Sequence, residues 1–267
     1  MFERVEIRPA YKVVSDAIEL EILNGNLSPG AQLPTETELS RQFGLTRHTV
    51  REGIRILEQG GLVRRKAGRR LFVVLPSHGE LAPRASRTLI MQRVSFRDLW
   101  EVALELETSA VRLAADRISD NHLIRLRENI EEMNEAIQEN ASIVRLDVEF
   151  HSIIAEATGN QVLLLARGPM SLLFYPTLRR LFKHPKTKKL APRRLLEAHR
   201  RILDGLERSD SKFATDWMHK HIVDFRRGYD YCGFDIDGKV SVSATQITTE
   251  VVLEKADPSV RTRGKRR

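Results

Sequence analysis

Four polar side chains fall on helix faces that are otherwise apolar: Asp147, His151, His199 and His221. Asp147 and His151 are four residues apart, so they share a helix face, and that face also carries Ile143, Phe150 and Ile154. His199 sits among Leu195, Leu196, Ile202 and Leu203, and His221 shares its stripe with Trp217, Met218 and Phe225. His219 lies two residues from His221 and points elsewhere. An acid in a core stripe is costly unless it is paired or bound to a cation. Three imidazoles and one carboxylate make a ligand set for a divalent ion such as Zn²⁺ or Ni²⁺. Any one of these histidines alone reads as a core histidine satisfied by hydrogen bonds. Four polar groups aimed inward from one helical bundle favour the metal.

A second chemistry is written in residues 33–74. Thr35 and Glu38 fit a capping box that opens a short helix with Leu39 and Phe43 on one face, ending at Gly44. Thr46 caps a second helix whose buried stripe is Val50, Ile54 and Leu57. Its N-terminal end and opposite face show Arg47, His48, Thr49 and Arg51. Arginine can bond a guanine edge or a phosphate at two points, and threonine hydroxyls suit either. After Gly60-Gly61 come two strand patterns, 62–63 and 71–74, around the basic turn 64–70. This is the spelling of a winged helix-turn-helix, with the second helix read as the one that enters the major groove. Positions 41–70 hold nine Lys/Arg against two acids, while the whole chain is only +8. Such clustering fits a phosphate footprint. A charge run alone would read as a solvated hairpin; joined to the helix spacing, it points to double-stranded DNA.

These elements sit in a chain of 267 residues, long enough for two cored domains. A single cysteine, Cys232, excludes an internal disulfide framework and suits a reducing cytosol. The first residues carry acids at Glu3 and Glu6 and no apolar run, so they do not read as a signal peptide. No apolar stretch is long enough for a bilayer. The expectation is a cytoplasmic protein without membrane association. Residues 76–94, broken by Pro76, Gly79 and Pro83, read as a linker. From Ser95 to about Tyr231 the pattern is helical almost throughout, giving an all-α bundle of six or seven helices. The fold class is therefore mainly α, with a small β wing. The stretch 160–182 contains Pro169 and Pro176 and is expected to kink or break. Residues 233–267 shift to Gly, Ser, Thr and Asp, end in a basic run, and read as a disordered tail.

The first 75 residues resemble the DNA-binding domain of the GntR superfamily of bacterial transcription regulators. The likeness rests on Val14-Ser15-Asp16-Ala17-Ile18, Ile22, Gly25-Asn26-Leu27-Ser28-Pro29-Gly30, Leu33-Pro34, Glu36, Glu38-Leu39, Thr46-Arg47, Val50-Arg51-Glu52, Leu57 and Gly61-Leu62-Val63. It implies a homodimer on an operator, with DNA met by Thr37, Thr46, Arg47, His48, Thr49, Arg51, Arg69 and Arg70. Two positions depart from the pattern: Thr37 replaces a customary arginine between two glutamates, and Arg70 replaces a wing glycine.

Residues 95–231 resemble the FCD ligand-binding domain of the FadR-like subgroup, through Asp98-Leu99-Trp100-Glu101-Val102, Glu107, Ala114-Ala115-Asp116-Arg117, Asp147, Phe150-His151, Thr158-Gly159-Asn160, Glu197-Ala198-His199-Arg200 and His221. That resemblance implies a metal on Asp147, His151, His199 and His221 and a small organic acid as effector. The family often carries an effector-clasping arginine where this chain has Ala103, so either Arg167, Arg179 or another group takes its place or the effector lacks that carboxylate. The resulting expectation is a ligand-responsive regulator, a repressor by default. The alternatives are a metalloenzyme using the same four ligands with Glu149 or Glu156 as base, a fatty-acyl-responsive regulator, and a structural DNA binder working by charge and tail.

Overall fold

The computed structural model describes residues 8–66, 70–75 and 78–240. Two compact units divide the chain between Ser77 and His78.

The first unit contains α1 (Ala10–Leu23), α2 (Glu36–Phe43), α3 (Arg47–Gly60), β1 (Val63–Arg65) and β2 (Leu71–Val73). The capping box opening α2 is complete: Thr35 Oγ1 accepts from the Glu38 amide at 3.2 Å, and Glu38 Oε2 accepts from the Thr35 amide at 2.7 Å. Gly44 ends α2 at φ 65° and Gly61 ends α3 at φ 79°, left-handed positions where a side chain is strained. The strands pair antiparallel with Val63 opposite Val73, so Val63, Leu71 and Val73 fall on one buried face. Gln32 pairs with Phe72, and the Leu33 amide donates to the Leu71 carbonyl at 2.9 Å, tying the segment before α2 to the wing. Val14, Ile18, Leu39, Val50, Ile54, Leu57, Val63 and Val73 form a common core. That core fixes α3 so that its opposite face is open to solvent.

The second unit is a bundle of seven described helices: α4 (His78–Met91), α5 (Phe96–Ala115), α6 (Asp120–Gln138), α7 (Val144–Ala157), α8 (Gln161–Lys183), α9 (Ala191–Glu207) and α10 (Ser211–Tyr231). Its main core contains Val111, Leu126, Met133, Phe150, Ile154, Ile202 and Leu206. Ser95 and Asp98 build the expected capping box on α5. Helix α4 occupies most of the stretch expected to be a linker. Its partner is α8: Ser86 Oγ lies 2.8 Å from the Ala82 carbonyl and 2.9 Å from the Pro169 carbonyl. A β-carbon on Gly168 would stand only 3.1 Å from that of Ala82, so glycine permits the close approach. Packing against a distant helix, rather than local pattern, makes this segment helical.

Helix α8 runs unbroken through Pro169 and Pro176, where a kink or break was expected. Its Leu173, Leu178 and Leu181 are buried, and this packing carries the helix past both missing amide donors. The region after α10 also differs from a tail beginning at Gly233. Residues 233–240 return to the start of α5, where Arg97 grips Asp237 by two bonds of 2.7 and 2.9 Å and Ser95 pairs with Lys239. The remaining tail, residues 241–267, lies outside the described residues, as does Arg69. No described helix is long and apolar enough to cross a membrane.

Candidate functional site

Helices α7, α9 and α10 bring Asp147, His151, His199 and His221 together in the bundle interior. One ligand atom from each of the four lies within 4.8 Å of every other, and all four side chains are buried. His151 Nε2 is 3.1 Å from His221 Nε2, and Asp147 Oδ1 is 3.4 Å from His199 Nε2 and 3.9 Å from His151 Nε2. His199 stacks flat on Phe150, with ring centres 3.7 Å apart. Asp147 Oδ1 and His199 Nε2 are buried without a hydrogen-bond partner. Leaving such an atom unsatisfied costs about 1–3 kcal/mol, and more where it is charged. A cation at their centre would remove that cost, so the residues present fit a divalent ion. His219 is exposed, as the helical spacing requires.

Electrostatics prepare the same four groups. Burial pushes both His199 and His221 down, and the neighbouring histidines push His221 down well below the ordinary imidazole range. Both rings are thereby kept neutral, with a lone pair to donate. Burial alone would raise the Asp147 carboxyl, but His199, His151 and His221 outweigh it and hold it at about 2. Burial also opposes charge on His151, yet Glu107 wins and raises it.

Glu107 was not among the expected site residues. Its Oε2 lies 2.9 Å from His151 Nδ1, and its Oε1 accepts from Arg167 Nε at 2.6 Å. Arg167 also reaches Ser152 Oγ at 3.3 Å. Burial of Glu107 is outweighed first by Arg167 and then by His151, which hold its carboxyl at about 2. The carboxylate thus turns Nε2 of His151 toward the other ligands. A signal for it existed: Glu107 falls on the buried stripe Leu99, Ala103, Ala110, Val111 and Ala114. It is an acid on an apolar face, as Asp147 is.

A cavity of about 60 Å³ opens beside the four ligands. Asp147, His151, His221, Glu107 and Arg167 supply its polar end, and Ala103, Met170, Phe174, Leu178, Ile222 and Phe225 its apolar wall. Of the expected effector contacts, Ala103 and Arg167 line it. Arg179 does not; it faces a different groove with Arg180, Lys183 and Phe234. Glu149 and Glu156, considered as bases, are engaged by Arg145 at 2.7 Å and Arg125 at 2.8 Å.

In the first unit, Arg47 and His48 are exposed at the start of α3 and Arg70 is exposed at the wing. Thr46 caps α3 by accepting from the Thr49 amide at 3.2 Å, and the two threonine hydroxyls lie 2.9 Å apart. Thr37, on α2, is half-buried. Arg51 is held by Glu36 at 3.0 Å, and the other oxygen of Glu36 holds Arg65 at 3.0 Å. Arg65 also meets Glu58 at 3.0 Å, tying β1 to α3. Sequence reasoning had assigned no role to this acid–arginine brace.

Two family models match the chain: "Bacterial regulatory proteins, gntR family" over residues 10–73 and "FCD domain" over residues 98–224. The HTH-type transcriptional regulator LutR of Bacillus subtilis is 28% identical over 203 residues, 76% of this chain and 93% of that protein. The HTH-type transcriptional repressor NanR of Enterobacter sp. is 34% identical over 161 residues, 57% of this chain but only 62% of that protein. A solved structure of Streptococcus agalactiae GntR matches with a TM-score of 0.60 and 26% identity, over 81% of this chain and 99% of the other. The matched domains and relatives are those of transcription regulators rather than enzymes. With an N-terminal helix-turn-helix and a C-terminal FCD bundle, this chain belongs to the GntR family of bacterial regulatory proteins.

Proposed function

We propose that this protein is a metal-containing repressor that binds its operator as a homodimer in the cytoplasm and responds to a small carboxylate. The observation that carries the reading is the buried quartet Asp147, His151, His199 and His221 opening on a cavity that also holds Arg167. A divalent ion, Zn²⁺ or Ni²⁺ from the donor set, would supply positive charge and a coordination position for an effector oxygen. Arg167 would meet the effector's carboxylate as a substitute for the arginine that Ala103 replaces. Apart from Ser171, the wall of Met170, Phe174, Leu178, Ile222 and Phe225 is apolar and offers few hydrogen bonds to a polyhydroxylated chain. It suits a hydroxy or keto acid with a short apolar substituent. Repression is the sense printed for the NanR relative.

DNA would be read by Arg47, His48 and Thr49 at the start of α3, with Arg51 joining once released from Glu36. Thr46 acts through the cap and Arg70 from the wing, and Arg69 and Thr37 complete the expected contacts. The effector can shift operator affinity only by binding the two states of the dimer unequally. The test is a gel shift on promoter-proximal fragments titrated with lactate, pyruvate, 2-hydroxyisovalerate and citrate, with and without chelator. Release by one of the compact acids, abolished by chelator, is the expected result. Binding that ignores every acid and the chelator would overturn the effector reading.

A further inference from the structure

The FCD unit carries its densest charge away from the metal cavity. From Arg179 to Arg194 there are eight lysines and arginines and no acid. That equals the +8 of the whole chain, so with the basic helix-turn-helix segment counted as well the remainder is net acidic. The block forms the corner between two helices. Arg179, Arg180 and Lys183 lie on the last turns of α8, Lys186, Lys188 and Lys189 in the connection, and Arg193 and Arg194 in the first turn of α9. Its shape is fixed from inside: buried Thr187 donates to the Leu181 carbonyl at 2.5 Å, and the Lys188 amide donates to the His184 carbonyl at 2.9 Å.

An open groove runs along this corner, lined by Arg179, Arg180, Lys183, His184 and Phe234. The Arg180 guanidinium stands over the Phe234 ring at 4.5 Å, and His184 meets the same ring edge-on at 5.4 Å. Arg194 pairs with Asp224 at 2.6 Å, and Lys186 donates to the Tyr231 carbonyl at 3.3 Å and stands 5.4 Å over the same residue's ring. Among the described residues, no carboxylate lies within 4 Å of Arg180, Lys183, Lys188, Lys189 or Arg193. Crowded like charges repel one another, and a polyanion relieves that repulsion.

We propose that this corner contacts the phosphate backbone of DNA, adding sequence-independent affinity to the readout by α3. The cations are spread along two helix ends and a loop instead of converging on one point, which matches a row of phosphates better than a single small anion. The chain already presents one DNA-binding segment of comparable charge, so nucleic acid is the polyanion at hand. The proposal rests on the operator binding above, and its test keeps the two apart.

Full-length protein with Lys183→Gln, Lys186→Gln, Lys188→Gln and Lys189→Gln is compared with wild type on operator-containing and random fragments across salt concentrations. The variant is expected to lose affinity for both DNAs alike, at least ~10-fold near 100 mM salt, with the slope of log affinity against log salt falling by about 0.9 for each phosphate no longer neutralised. The ratio of operator to random affinity stays unchanged. Replacing the same lysines by arginine restores affinity, which separates charge from folding. Unchanged affinity and slope overturn the proposal, and so does a variant that loses only its thermal stabilisation by inorganic pyrophosphate or its binding to anionic vesicles. Arg47→Ala reports on α3 alone: if it leaves the operator-to-random ratio intact, the operator reading fails whatever the lysines do.

Discussion

Glu107 Oε2 lies 2.9 Å from His151 Nδ1 and so determines which nitrogen of that ring faces the other three ligands. A carboxylate behind a ligating imidazole fixes the tautomer and raises the basicity of the donor nitrogen. Because the other oxygen of Glu107 holds Arg167, one acid joins the buried Asp/His cluster to an arginine of the cavity wall. Glu107→Gln should weaken metal binding ~10–100-fold, the usual cost of losing such a partner. Chelator competition on the purified variant measures this directly. Unchanged affinity would show that the stacking and packing around His151 suffice.

The acid limb of the stability curve should carry the signature of the same cluster. Glu107 and Asp147 are held at about 2, below their ordinary values of 4.5 and 3.8. A depressed carboxyl contributes stability that is fully present above its unfolded value and is lost as pH falls through the folded value. Metal-free protein should therefore lose stability first as pH falls below about 6.5, where His199 and His221 would take up protons on unfolding, and then from about pH 4.5 down to about pH 2 as the two carboxyls protonate. Denaturant melts at stepped pH read this. Glu107→Gln should flatten the decline, and an equally steep decline in that variant would assign it elsewhere.

Glu36 holds Arg51, one of the proposed DNA contacts, and Arg65 beside it. Its exposed pairs with Arg51 and Arg65 contribute only about 0–1 kcal/mol to stability. Glu36→Gln should therefore fold normally and bind random DNA more tightly, with the salt slope steeper by up to about 0.9 for each arginine released. Weaker binding would mean that the brace positions Arg51 for the bases rather than withholding it.

Thr46 links local structure to the same surface. Its hydroxyl caps α3 and lies 2.9 Å from that of Thr49. Thr46→Ala should cost about 1 kcal/mol of stability in the first unit. Thr46→Ser keeps the cap and should restore it. Thermal melts of the two variants make the comparison.

Much of this was legible in sequence where the governing interaction is local. The capping boxes at Thr35–Glu38 and Ser95–Asp98 and the stop at Gly44 depend on residues within one helical turn. The pairing of Asp147 with His151 is likewise a matter of helical spacing. Helix α4 was illegible because Pro83 argues against it locally, while its support is Pro169 and Gly168 on another helix. The return of residues 233–240 depends on Arg97, some 140 positions away from Asp237. Arg167 and Arg179 looked alike as effector contacts, and only the course of α8 sends one to the cavity and the other to the surface groove.

Metal content of the purified protein tests the central claim most directly. Elemental analysis should find one divalent ion per chain in wild type and in His219→Ala, and none in His221→Ala, because His221 faces the buried cluster and His219 faces solvent. A wild-type protein that takes up no divalent ion, or a His221→Ala variant loaded as fully as His219→Ala, would contradict the account.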